Sequence, residues 1–110
     1  MNTTLRVVIA PPGKPAEERI IPNTLEALQA AIGGYIEAYR PEPFASRGLL
    51  LYVNEDGLRD CAPNRVIGGQ LIHGPIVVVR TNGEDECDLT AGDVAFAECE
   101  LNAAVGAVFS

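Results

Sequence analysis

The stretch LEALQAAIGGYIE, Leu25–Glu37, reads as a short helix that stops at a double glycine and runs into a strand. Leu25, Leu28 and Ile32 recur at i, i+3 and i+7, the spacing that lines one face of a helix. Asn23 is expected as the N-cap, with Glu26 at the third helical position completing a capping box. Gly33 falls where a left-handed residue closes a helix, and Gly34 frees the chain to turn back. Tyr35–Tyr39 then alternates as a strand, with Tyr35, Glu37 and Tyr39 on one face and Ile36 and Ala38 on the other.

Working outward, Thr4–Ala10 is rich in β-branched residues and reads as a first strand. Pro11-Pro12-Gly13-Lys14-Pro15 is a loop, because prolines supply no ladder donors, and Glu18–Ile21 follows as a short second strand paired back on the first. Pro41–Gly48 is a further loop, and Leu49–Val53 is a buried strand closed by the turn Asn54-Glu55-Asp56-Gly57. Ala62-Pro63-Asn64-Arg65 is expected as a single turn. Ile72–Val79 is expected as the central strand, with Pro75 shifting its regular part toward Ile76–Arg80. Thr81–Asp88 is an acidic loop. Leu89–Asp93 opens a last helix, Thr90 capping it and Asp93 meeting the positive end of the dipole, with Val94, Leu101 and Val105 on one face. These elements imply one α+β domain over residues 1–110: a mostly antiparallel sheet of about five strands with two helices. The apolar tail 101–110 is a candidate homo-oligomer interface.

Composition narrows the class. A chain of 110 residues with 47% hydrophobic and 21% charged residues is an ordinary globular sequence. Its apolar runs fall far short of the ~20 residues that span a bilayer, and MNTTLRVVIAPPGK lacks the basic-then-apolar pattern of a secretory signal. Three cysteines, Cys61, Cys87 and Cys99, form no CxxC pair and point to reduced thiols in the cytoplasm. Residues 1–80 hold eight basic and eight acidic side chains, so the net charge of −7 comes entirely from residues 81–110. Outside a local group at Arg40, Arg47, Arg59 and Arg65, the chain lacks the basic footprint through which nucleic-acid binders neutralise phosphate, and no direct nucleic-acid or membrane partner is expected.

The order LEALQxxIGGYIE, NEDG, PNR, IxGxxVVV and an LT-headed helix resembles a family of small proteins of unknown function from bacteria, phages and mobile elements, domain of unknown function family three-eight-four-six. The pieces are Leu25–Glu37, Asn54–Gly57, Pro63-Asn64-Arg65, Ile72–Val79 and Leu89-Thr90. The resemblance implies an α+β fold and a phage or mobile-element setting, and it carries no catalytic residue across.

Candidate chemistry is sparse. One histidine, His73, and two serines, Ser46 and Ser110, leave no nucleophilic triad, and neither serine sits in a GxSxG elbow. A dyad of His73 with Cys61 or Cys87 is disfavoured, because Glu84, Asp85, Glu86 and Asp88 surround Cys87 and an acidic neighbourhood blunts a thiol's reactivity. A zinc set of Cys61, His73, Cys87 and Cys99 lacks short paired spacing, and no metal or cofactor is expected. A Glu37–Asp60 acid/base pair has no spacing to support it. Gly33-Gly34 ends a helix instead of opening one, and Gly68-Gly69-Gln70 lacks basic surroundings, so neither reads as a phosphate cradle. Asn64-Arg65 is open to two readings. Arginine's planar fork suits an anion in a cleft with Tyr35, Tyr39, Arg59 and His73, and it equally suits pinning a loop through carbonyls.

Three functions are therefore weighed. The first is a non-enzymatic binding protein of a phage or mobile element, such as a counter-defence protein sequestering a nucleotide-like anion. The second is an acidic DNA mimic or protein–protein inhibitor of a host defence complex, with Glu84, Asp85, Glu86 and Asp88 as its partner surface. The third is an enzyme, and the shortage of histidine and serine ranks it last.

Overall fold

The computed structural model describes residues 3–109, with side chains over 3–103. β1 (Thr4–Ala10) pairs antiparallel with β2 (Glu17–Pro22), Thr4 opposite Pro22 and Ile9 opposite Glu17. α1 (Leu25–Ile32) follows, then β3 (Ile36–Tyr39), β4 (Leu49–Asn54), α2 (Gly57–Asp60), β5 (Pro63–Ile67), β6 (Gln70–His73), β7 (Ile76–Thr81), β8 (Glu86–Cys87) and α3 (Ala91–Phe109). The main sheet runs β2-β1-β7-β4-β3 with β8 also on β7, and β5-β6 forms a separate hairpin. Every pairing is antiparallel. This is the expected α+β class, with more elements than the sequence suggested.

Strand alternation divides the core into two layers. Leu5, Val7, Leu50, Val77 and Val79 face α1 and meet Leu28 and Ile32. Val8, Leu49, Leu51, Val53, Ile76 and Val78 face the other way, toward Ile67 and Ile72 of the hairpin and Val94, Ala97 and Leu101 of α3. β4 and β7 are covered on both faces and so read as nearly unbroken apolar runs. Val105, placed on the same helical face by its spacing, and the apolar tail beyond residue 103 lie outside the residues whose side chains are described.

Several local expectations are corrected. Thr24, not Asn23, caps α1: its backbone is extended and its Oγ1 accepts from Ala27 N at 3.1 Å. The Asn23 amide instead donates to the Thr3 carbonyl and extends the β1–β2 ladder, which delays the helix by one residue. Leu25 consequently sits in the first turn at 60% exposure, while Leu28 and Ile32 are buried. Gly33 does take the left-handed conformation, with φ 84°.

The expected turn at Ala62–Arg65 is instead the start of β5, which a two-residue turn of Gly68 and Gly69, both at positive φ, folds onto β6. Ile72–Val79 is not one strand, because Gly74 (φ 88°) and Pro75 separate β6 from β7. The turn at Asn54–Gly57 continues into α2. Thr81–Asp88 closes as a hairpin: β1 pairs with β7 only at Val8–Ala10, and β8 takes the β7 positions beyond. Asp88 accepts from the Arg6 amide at 2.7 Å and Leu89 N donates to the Arg6 carbonyl, so this hairpin is stitched between the two strands. Thr90 caps α3 as expected, in a reciprocal box: Asp93 N donates to Thr90 Oγ1 and Thr90 N donates to Asp93 Oδ2.

Candidate functional site

Asn64 and Arg65 enter the interior because β5 lies against α3 and the end of β1. Asn64 Nδ2 donates to the carbonyls of Ala10 (2.8 Å) and Gly74 (2.7 Å). Arg65 is 0% exposed; its Nε donates to Asn64 Oδ1, Nη1 to the Leu101 carbonyl, and Nη2 to the carbonyls of Pro11 and Lys14. Burial lowers the arginine's pKa from its ordinary value. The two side chains tie together the β1–β2 loop, β5, the β6–β7 link and α3. Their donors are committed to carbonyls, so neither offers a hand to an anion arriving from solvent. Of the two readings left open for this pair, loop-pinning describes the geometry.

The remaining residues expected with them do not assemble into one cleft. Tyr39 lies partly buried and its hydroxyl donates to the Ile67 carbonyl at 2.7 Å, fastening β3 to the hairpin. Tyr35 is 69% exposed, just ahead of β3. Arg59, on α2, is paired with Asp56 at 3.4 Å and Asp60 at 3.3 Å. His73 Nδ1 lies 3.2 Å from the Cys61 carbonyl, so the contact between these two residues runs through backbone and not through the thiol. His73 lines a pocket of about 140 Å³ with Glu37, Asn54, Leu58, Gln70 and Leu71, and Tyr35, Tyr39, Arg59, Asn64 and Arg65 are not among its walls. Gly57, also on its wall, packs closely against β6, since a Cβ there would stand 2.4 Å from the His73 carbonyl oxygen. Among the described residues, no three His, Cys, Asp or Glu side chains are placed to hold a metal ion.

The acidic residues divide by role. Glu84 and Asp85 stand at the exposed tip of the β7–β8 hairpin, their amides donating to Asn82 Oδ1 at 3.0 Å each. Glu86 accepts from the Tyr52 hydroxyl at 2.7 Å, and Asp88 is held by the Arg6 amide. Burial first, then the bond to Glu86 and its charge, push the Tyr52 phenol well above the ordinary tyrosine range. Beside this hairpin the first turn of α1 forms the opposite wall of an open groove lined by Thr24, Leu25, Leu28, Asp85, Glu86 and Cys87.

One charged cluster escaped the sequence reading. Asp93, 1% exposed, receives both Nε (2.8 Å) and Nη2 (2.9 Å) of Arg80, while Arg47 lies 3.7 Å away and stacks 4.4 Å over Phe96. The hydrogen bond from Arg80, reinforced by Thr90, outweighs burial and draws the Asp93 carboxyl down to about 2. The two residues lie 13 apart on a strand and a helix; only their packing shows them to be partners.

Fold and geometry define a small antiparallel α+β protein, layered on both faces, fastened through its PNR segment, and carrying acidic side chains on a hairpin that borders an open groove. The chain belongs to the family described as Domain of unknown function (DUF3846), whose model matches residues 5–101. No curated protein and no solved structure matches it. Among the described residues, no helix is long and apolar enough to cross a membrane.

Proposed function

We propose that this protein is a non-enzymatic binding protein of a phage or mobile element that occupies a host protein through its acidic face, as a protein–protein inhibitor or nucleic-acid mimic. The observation that carries the reading is how the eight cations of the chain are disposed. Five of the eight, Arg6, Arg19, Arg47, Arg59 and Arg80, stand beside a carboxylate, with Arg47 and Arg80 sharing Asp93; Arg65 is buried among carbonyls, and Lys14 and Arg40 are exposed. With Glu84 and Asp85 exposed at a hairpin tip and a net charge of −7, the surface potential is negative and suits a basic protein surface.

Sequestration of a nucleotide-like anion draws less support. Its arginine is committed to the interior, and the pocket holding His73 carries Glu37 and Glu55 on its walls. Catalysis draws the least support: among the described residues the ring of the single histidine, His73, addresses the Cys61 carbonyl.

The test pairs two measurements. The chain is titrated by thermal shift against a panel of cyclic nucleotides, and its affinity for the host protein recovered by crosslinking in cells is measured across salt concentrations. The reading expects no nucleotide-dependent stabilisation, and binding that weakens steeply between about 50 and 200 mM salt and again in the E84Q/D85N variant. A clear shift with any nucleotide, or partner binding indifferent to salt, refutes it.

A further inference from the structure

The groove between α1 and the β7–β8 hairpin sets an exposed apolar side chain opposite acidic ones. Leu25 is a large apolar side chain left 60% exposed in the first turn of α1. Its spacing matches the buried face of the helix, yet it lines the groove, while Leu28, one turn on, is buried in the core. Opposite stand Asp85, exposed, and Glu86, whose carboxylate is held in place by the Tyr52 hydroxyl at 2.7 Å. Glu86 keeps further acceptor capacity, since a carboxylate has two oxygens and several lone-pair sites. An exposed leucine facing an acidic rim is complementary to a chain segment carrying an apolar residue on one edge and cations on the other.

Resting on the acidic-face reading above, we propose that this groove docks a basic amphipathic segment of the partner protein. A Leu-like side chain of that segment lies against Leu25, and its Lys or Arg side chains meet Asp85 and Glu86. The apolar contact supplies selectivity that charge alone lacks, because desolvating Leu25 rewards only a partner that brings its own apolar surface. The acidic rim supplies attraction at a distance and orientation at contact. The neighbouring Glu84, at the exposed tip of the hairpin, widens the acidic target.

The test uses the full chain, isotopically labelled, and three synthetic helix-forming peptides of equal length. The first carries Leu at i and i+4 with Lys and Arg on the adjoining edge, the second replaces the leucines by glutamine, and the third replaces the cations by glutamine. Binding is followed by NMR shift mapping and fluorescence polarisation. The first peptide is expected to perturb Leu25, Leu28, Asp85 and Cys87 and to bind at least tenfold more tightly than either control. L25Q, which alters an exposed side chain and leaves the core intact, and D85N are each expected to weaken it at least fivefold, D85N also flattening the salt dependence. Equal binding of the first and second peptides with L25Q silent overturns the groove while leaving the acidic-face reading standing. Absence of binding by any cationic peptide at low salt overturns both.

Discussion

Arg65 Nε donates to Asn64 Oδ1 at 2.7 Å, so that two adjacent side chains on one strand act as a single polar knot serving five backbone carbonyls. Ordinarily neighbours in a strand point to opposite faces. Here the register shifts between Pro63 and Arg65, and that irregularity accompanies the arrangement in which both side chains are buried. The carbonyls belong to Ala10, Pro11, Lys14, Gly74 and Leu101, so the knot joins the β1–β2 loop to the β6–β7 link and to α3. The PNR piece of the family pattern is thus a fastening.

The first prediction concerns that knot. R65K keeps a positive charge but cannot fan out to four acceptors in different directions, so buried carbonyls lose their donors. Stability should fall by about 2 kcal/mol or more, and R65M should fall at least as far through the unsatisfied acceptors. Urea unfolding of both variants measures this; a loss below about 0.5 kcal/mol, the range of a neutral surface change, would mean that the knot does not bind the layers together.

Asp93 supports a pH prediction with a definite sign. Its carboxyl is drawn down to about 2 in the folded chain, below its value in an unfolded one, so its stabilisation is present above pH ~4 and is lost as the pH falls toward 2. D93N keeps a cap acceptor for Thr90 but removes the charge that Arg80 grips. It should cost about 2 kcal/mol at pH 7, a cost that shrinks toward zero near pH 2. Denaturation midpoints of the two proteins at several pH values test it, and parallel curves would contradict it.

Gly57 offers a purely steric test. It is not at positive φ, and a methyl group there would stand 2.4 Å from the His73 carbonyl oxygen. G57A should therefore destabilise by about 1–3 kcal/mol through forced displacement of β6, although alanine is the better helix former. A stabilised G57A in thermal melts would show that α2 and β6 are not in this contact.

Tyr52 yields a spectroscopic prediction. The difference in phenolate absorbance between wild type and Y52F isolates its titration, which should begin only above the ordinary tyrosine range, since burial and Glu86 both oppose the charge. Removing the hydroxyl should cost about 1 kcal/mol and release Glu86 from its fixed position. Titration of Tyr52 near pH 10 would deny the contact.

Much of the framework was legible because it is local. The diglycine exit of α1, the Thr90 cap and the apolar runs of β4 and β7 depend on residues within a few positions of one another. The β5–β6 hairpin is the exception: a turn at Ala62–Arg65 and one strand over Ile72–Val79 are the expectations there, while Gly68-Gly69 in fact folds Pro63–Ile67 onto Gln70–His73. The candidate site was far less legible. Whether an arginine is presented to solvent or swallowed by carbonyls depends on where α3 and the β1–β2 loop come to rest, and no local pattern encodes that.

From residues alone came the α+β class, the antiparallel pairing of the first hairpin, the one-sided charge of the last third and the shortage of catalytic groups. These follow from periodicity, capping and counting, which are properties of short segments or of the whole composition. Only the folded arrangement decided that Asn64 and Arg65 serve the interior, that Arg80 clasps Asp93, and that Leu25 is stranded beside Asp85 and Glu86. Each of those outcomes joins side chains from different elements, and burial, which sets the strength of a charge or the worth of an exposed leucine, is a property of neighbours in space.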